Sequence, residues 1–252
     1  GQKLASGSAA PNLPLKISQA GQADSYFGSG SMLSGMVTRF FDNHSYGDLW
    51  VMPLEDNKEG VAATGSLEIT NAPSESGIIS LYIGGQRLGI GVSSTDTPES
   101  IATHLASVIN NTLTLPVTAL INDAKKTQVD IIAKHKGECG NAIDLQVNYN
   151  TGEVLPKNLT IALSPMTGGA GNPDLSSLWS KLGDTHYHLC AFPYTDASNL
   201  RALSTELMSR ADAMRQIEMM TFIAHNGTFG ELSTVGNNQN CQYLSIMNAS
   251  KS

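Results

Sequence analysis

The stretch His186-Tyr187-His188-Leu189-Cys190-Ala191-Phe192 reads as a strand, and Asp196 caps a following helix with Leu200, Leu203, Leu207 and Met214 on one side. Met219–His225 is a second strand, a shorter helix lies around Phe229–Val235, and Gln242–Met247 is a third strand. Strand, helix, strand, helix, strand with apolar strands predicts parallel pairing through right-handed crossovers. The fold class that follows is α/β, built on an open, mostly parallel sheet.

Working outward, residues 12–54 carry a similar rhythm of strand, short helix, second helix and strand. Ser18 is placed to cap a short turn through Phe27. After the Gly28-Ser29-Gly30 break, Ser31 opens a helix whose apolar stripe is Met32, Leu33, Met36, Val37, Phe40 and Phe41. Asp48-Leu49-Trp50-Val51-Met52 is a nearly continuous apolar run stopped by Pro53, which predicts a strand covered on both faces.

The rhythm changes after the charged loop Glu55–Gly60. Short alternating segments follow at Ser66–Thr70, Gly77–Ile83, Gln86–Val92, Pro116–Ile121, Gln128–Ala133, Ile143–Val147 and Leu159–Leu163. Gly84-Gly85 joins two of them as a hairpin turn. One helix interrupts them, with Thr97 as cap, Pro98 at its first position, and Ile101, Leu105, Val108 and Ile109 on its apolar face. Residues 63–165 thus read as an inserted α+β module rich in short strands. Residues 1–60 and 173–252 form one discontinuous α/β domain, and 166–172 is a Gly-rich linker.

Composition narrows the function. Fifteen basic residues against 22 acidic ones give a formal charge of −7, and no Lys/Arg cluster occurs, which argues against nucleic acid or an anionic membrane as partner. Hydrophobic residues make up 40 %, enough for a sizeable core, and no apolar run is long enough for a membrane span. Cys139, Cys190 and Cys241 are an odd count without a CxxC spacing and read as reduced thiols of an intracellularly made protein. The opening Gly1-Gln2-Lys3-Leu4 has neither Met nor a signal pattern, so the chain reads as part of something longer.

The motifs for chemistry are sparse. Gly28-Ser29-Gly30-Ser31 precedes a helix that could hold a phosphate, but Leu33 stands where a dinucleotide fingerprint needs its third glycine, and there is no GxxxxGK[ST]. His186, His188 and Cys190 share one strand face, yet neighbouring ligands would lie about 6.6 Å apart and no fourth ligand has metal-site spacing. His44, His104, His135 and His225 are scattered singly, and Glu55, Asp56 and Glu59 sit in one solvated loop. The expectation is no catalytic residue, no cofactor site and no metal site. The alternative, an α/β small-molecule or nucleotide-binding enzyme domain, would need one of these weak motifs to be real.

Several segments carry a family resemblance. Phe27–Met36, Asp48–Leu54, Ala63–Leu67, Leu81–Arg87, Lys136–Asn141, Met166–Leu175, Phe192–Asp196 and Ala224–Thr228 occur in the order found in the tail sheath proteins of Mu-like contractile-tailed phages, and the chain resembles that family over nearly its whole length. The resemblance implies a non-enzymatic structural subunit of the virion, assembled in the bacterial host cytoplasm. Its implied partners are other sheath subunits, in hexameric rings on a helical lattice, and the tail tube that contraction drives through the host envelope. Family members are longer at both ends, so this chain alone is expected to be a soluble monomer, with residues 63–165 facing outward.

Overall fold

The computed structural model describes residues 1–249. The N-terminal part contains strand β1 (Leu15–Ile17), helices α1 (Ala23–Phe27) and α2 (Met32–Asn43), and strand β2 (Leu49–Val51). Ser31 caps α2 as its sequence predicts, its Oγ accepting the Ser34 N–H at 3.0 Å. Ser18 does not cap: the turn before α1 starts without a side-chain cap. β1 and β2 pair antiparallel, Leu15 opposite Val51, and Trp50 is 45 % exposed. The apolar run at 48–52 is therefore an open two-stranded ribbon and not a strand buried on both faces.

Next come β3 (Ala62–Asn71), β4 (Gly77–Ile83), β5 (Gln86–Val92), α3 (Pro98–Asn111), β6 (Val117–Ile121), β7 (Gln128–Lys136), β8 (Leu145–Val147) and β9 (Thr160–Thr167). They form two antiparallel sheets, ordered β6-β7-β3-β9 and β5-β4-β8. Both sheets and Ile101, Leu105 and Ile109 of α3 enclose one apolar core that includes Leu67, Ile79, Ile83, Ile90, Val117 and Ile131. Thr97 and Ser100 make a reciprocal capping box at the start of α3, with Pro98 in its first turn. Gly84 and Gly85 both take positive φ, 56° and 79°, which lets two residues turn β4 into β5. β9 runs to Thr167, so the first two residues of the Gly-rich stretch 166–172 belong to a strand.

The remainder holds α4 (Trp179–Leu182), β10 (Leu189–Phe192), α5 (Ala197–Arg210), β11 (Met220–His225), α6 (Phe229–Gln239) and β12 (Leu244–Asn248). The parallel rhythm is real here: β10-β11-β12 is a parallel sheet with Phe192 beside Ile223 and Ile223 beside Ile246. It is the one parallel sheet of the four among the described residues, so the expected open, mostly parallel sheet is corrected to a mainly antiparallel set of sheets with one parallel unit. The N-terminal strands do not extend it. Between the β1–β2 ribbon and β10 lies an apolar cleft of about 380 Å³, walled by Met36, Phe40, Trp50, Trp179 and Leu189. Met214 also departs from expectation: α5 ends at Arg210, and Met214 is 91 % exposed.

Candidate functional site

The residues that sequence alone offered for phosphate binding lie at a seam between the N-terminal helices and the 62–170 sheets. The first four N–H groups of α2 have no partner within the helix and must find one elsewhere. Met32 N donates to His135 Nε2 at 3.1 Å, and Leu33 N to the Gln2 carbonyl at 3.0 Å. Ser34 N donates to Ser31 Oγ at 3.0 Å, and Ser31 N, the cap's own, to the Gly28 carbonyl at 3.1 Å. All four are engaged by protein groups, which leaves this helix end no free donors for an anion. Gly30 is needed for contact: its φ is +75°, and a Cβ there would collide with the carbonyls of Leu113 and Leu115.

Asp56 is the hub of the seam. Its Oδ1 accepts from Gln2 Nε2 at 2.8 Å and from His135 Nδ1 at 2.9 Å, while its Oδ2 accepts from Lys136 N at 2.9 Å. Because His135 Nε2 accepts from Met32, the imidazole proton sits on Nδ1, aimed at the carboxylate. Burial by itself would raise the Asp56 carboxyl, but hydrogen bonds from His135 and Lys136 outweigh it and hold the group below its ordinary value. His135 is the last inward position of β7 after Val129, Ile131 and Ala133, which is why it is buried. The loop reading of Asp56 is thus corrected: it is half-buried and fully bonded.

Further ties close the seam. Lys134 Nζ reaches the carbonyls of Leu113 and Ser29 at 2.8 and 3.3 Å, and partial burial lowers its pKa. Asn172 accepts from Glu138 N at 2.8 Å and donates to Asp196 Oδ1 at 2.7 Å, joining the turn after β7 to the cap of α5. Asn141 and Gly169 exchange two hydrogen bonds of 2.9 and 2.8 Å. The Gly-rich stretch is therefore bonded along its length to both neighbours.

The other candidates separate. His186 and His188 precede β10, stack with ring centroids 4.4 Å apart, and are exposed; His186 Nε2 donates to the Glu218 carbonyl at 3.0 Å. Cys190 packs on the helix-covered side of the sheet, where burial raises its thiol pKa. Among the described residues no three His, Cys, Asp or Glu side chains gather as a metal site. All three cysteines are free, and burial pushes the Cys139 thiol up to about 11, away from thiolate chemistry. Sequence reasoning missed Arg210, which is fully buried and donates through Nη1 to the Gly183 carbonyl at 2.9 Å and through Nη2 to that of Thr185.

Asp56, His135, Lys134 and Asn172 at the seam are all bonded to other parts of the chain, and the buried Gln2 Oε1 lacks a partner among the described residues, so the arrangement is that of a joint. Over 247 residues, 98 % of this chain, the sequence is 36 % identical to the Mu-like prophage FluMu tail sheath protein of Haemophilus influenzae. This chain is a relative of the Mu-like tail sheath proteins. It spans about half the length of that curated relative, 50 % of it. No protein-family model matches. Among solved structures, the sheath tail protein Lin1278 from Listeria innocua is 10 % identical with a TM-score of 0.32, covering 89 % of this chain and 47 % of that one. The D2–D3 domains of the flagellar cap protein FliD from Serratia marcescens are 17 % identical with a TM-score of 0.20, covering 44 % of this chain and 73 % of that one. Both scores are too low to establish a shared fold.

Proposed function

We propose that this sheath relative is a non-enzymatic structural part of a contractile tail sheath subunit, a virion component assembled in the bacterial cytoplasm around a tail tube. The observation that carries the reading is 36 % identity along 98 % of the chain to a tail sheath protein. The partners are other sheath subunits and the tube. Contraction needs no bound nucleotide or metal in this scheme, because the work comes from the difference between two packings of the same subunits.

The division into a discontinuous body, 1–60 and 173–252, an inserted module at 63–165 and a connection at 166–172 belongs to the same proposal; the last three residues of the body range lie outside the described residues. The seam gives the division a mechanical meaning. A subunit that transmits lattice motion must not bend internally, and Asp56, His135, Asn172 and Lys134 tie module to body at several separate points. The module faces outward, since an insertion on the tube side would obstruct the bore.

The test is negative-stain electron microscopy of a polypeptide of the relative's full length that carries this sequence, expressed with and without its tube partner. Helical tubes or short contracted cylinders are expected, with the module on their outer surface. Dispersed particles in both cases would overturn the sheath reading.

A further inference from the structure

The parallel unit leaves one face without a crossover helix, with Leu189, Ala191, Ala224 and Met247 exposed and Met220, Phe222 and Ser245 half-buried. β10 to β11 and β11 to β12 are successive parallel neighbours joined by α5 and α6, and right-handed crossovers made in one direction put both helices on the same side. Register agrees: Phe192, Ile223 and Ile246 lie side by side within the core cluster that holds Leu200, Leu203 and Leu207 of α5. The alternate positions form the opposite face, Leu189, Ala191, Met220, Phe222, Ala224 and Met247, with Ser245 the one polar residue. Leu189 is 71 % exposed and Met247 51 % exposed. No charged side chain belongs to this face; at β10 it opens into the cleft whose far wall carries Met36 and Phe40 of α2, and α5 and α6 lie on the other side of the sheet.

Parallel sheets occur almost only with both faces covered, because their strands are apolar on both sides. A second copy of the chain is a poor cover. Three strands about 4.8 Å apart and about five residues long, at about 3.3 Å per residue, present roughly 240 Å². A stable interface between separate proteins buries about 800 Å² per partner. A segment of the same polypeptide needs no such area, since linkage supplies a high effective concentration. The related sheath protein is twice as long as the matched region, so a full-length subunit holds as many residues again. The face is also continuous with the apolar cleft at β10, which Leu189, Ala191 and Phe222 help to line.

Resting on the sheath reading, we propose that the Leu189–Phe222–Met247 face and the adjoining cleft are the docking surface for an apolar-faced segment from the other half of the same sheath polypeptide. The subunit body is then completed in cis before it polymerises.

Hydroxyl-radical footprinting with peptide-level mass spectrometry tests this without mutation. The chain described here is compared with a soluble, unpolymerised polypeptide of the relative's full length, each at several concentrations, with Tyr149 of the 63–165 region as the reference. In this chain Leu189, Phe222 and Met247 should be modified at every concentration, and in the longer polypeptide their modification should fall about tenfold relative to Tyr149. Equal modification in the two would overturn the proposal. Protection in this chain that grows with concentration would also overturn it, by assigning the face to a second copy. Failure of the sheath reading shows separately, as absence of tubes in micrographs.

Discussion

His135 and Asp56 are 79 positions apart in sequence and 2.9 Å apart in space, with His135 Nδ1 donating to Asp56 Oδ1. The other ring nitrogen holds the first N–H of α2, so one imidazole links a carboxylate, a strand end and a helix start. Removing either partner strands buried donors or acceptors. Asp56→Ala is expected to cost about 2–3 kcal/mol, since it unpairs His135 Nδ1 and the Lys136 N–H and leaves Gln2 Nε2 with only its bond to the Lys136 carbonyl. In a double-mutant cycle with His135→Ala, urea denaturation should give a coupling energy of at least about 1 kcal/mol. Simple additivity would mean that the pair does not act as a unit.

The same carboxylates set the acid limit. Hydrogen bonds hold Asp56 and Asp196 below the ordinary aspartate value despite the opposing effect of burial. A carboxyl with a depressed folded pKa contributes stability that is fully present above the unfolded pKa, about 3.9. That contribution is lost as pH falls through the lower folded value, because the unfolded chain then binds more protons. The urea midpoint should hold from neutral pH to about pH 5 and fall steeply below about pH 4. Asp56→Asn should be less stable at neutral pH and show a shallower fall. A variant profile parallel to that of the wild type would assign the acid transition to other groups.

How much of this was legible in sequence follows from the range of each interaction. Caps at Ser31, Thr97 and Asp196 and the Gly84-Gly85 hairpin depend on three or four neighbouring residues, and sequence placed them correctly. The β10-α5-β11-α6-β12 order was legible for the same reason. Pairing partners were not: β1 and β2 are three residues each, too short for a pattern to say whether they join the parallel sheet or each other. The seam was invisible because its members are separated by tens to more than a hundred residues, as Gln2 and Lys136 are. One signal existed, a histidine at an inward position of an alternating strand. In sequence alone it is one of several scattered histidines.

Gly30 and Gly35 make opposite expectations from one helix region. At Gly30 the backbone has φ +75° and a Cβ would run into the carbonyls of Leu113 and Leu115. Gly30→Ala should therefore destabilise by about 2–4 kcal/mol, about 1–2 from the left-handed backbone and the rest from forcing the seam apart. Gly35 lies inside α2 with nothing near its Cβ position. Gly35→Ala should stabilise by about 0.5–1 kcal/mol through lower unfolded-state entropy. Thermal melting of the two variants side by side reads both signs, and equal effects would refute the close-approach account of Gly30.

Arg210 gives the last expectation. It is fully buried, its guanidinium lies 6.0 Å from the Tyr187 ring centroid, and its fork holds the carbonyls of Gly183 and Thr185. Glu206 Oε1 accepts from it at 3.3 Å and also accepts from Arg215, so the carboxylate keeps a partner if Arg210 is lost. The penalty of Arg210→Ala therefore comes from the two loop carbonyls and the vacated volume, and about 3 kcal/mol is expected. Arg210→Lys should recover only part of that, because an ammonium cannot span both carbonyls as a planar fork does. The loss should be local first: amide hydrogen exchange at 183–188 should speed up by more than in the 63–165 region, whose core is separate. Uniform acceleration across the chain would show that Arg210 supports the whole fold and not the approach to β10.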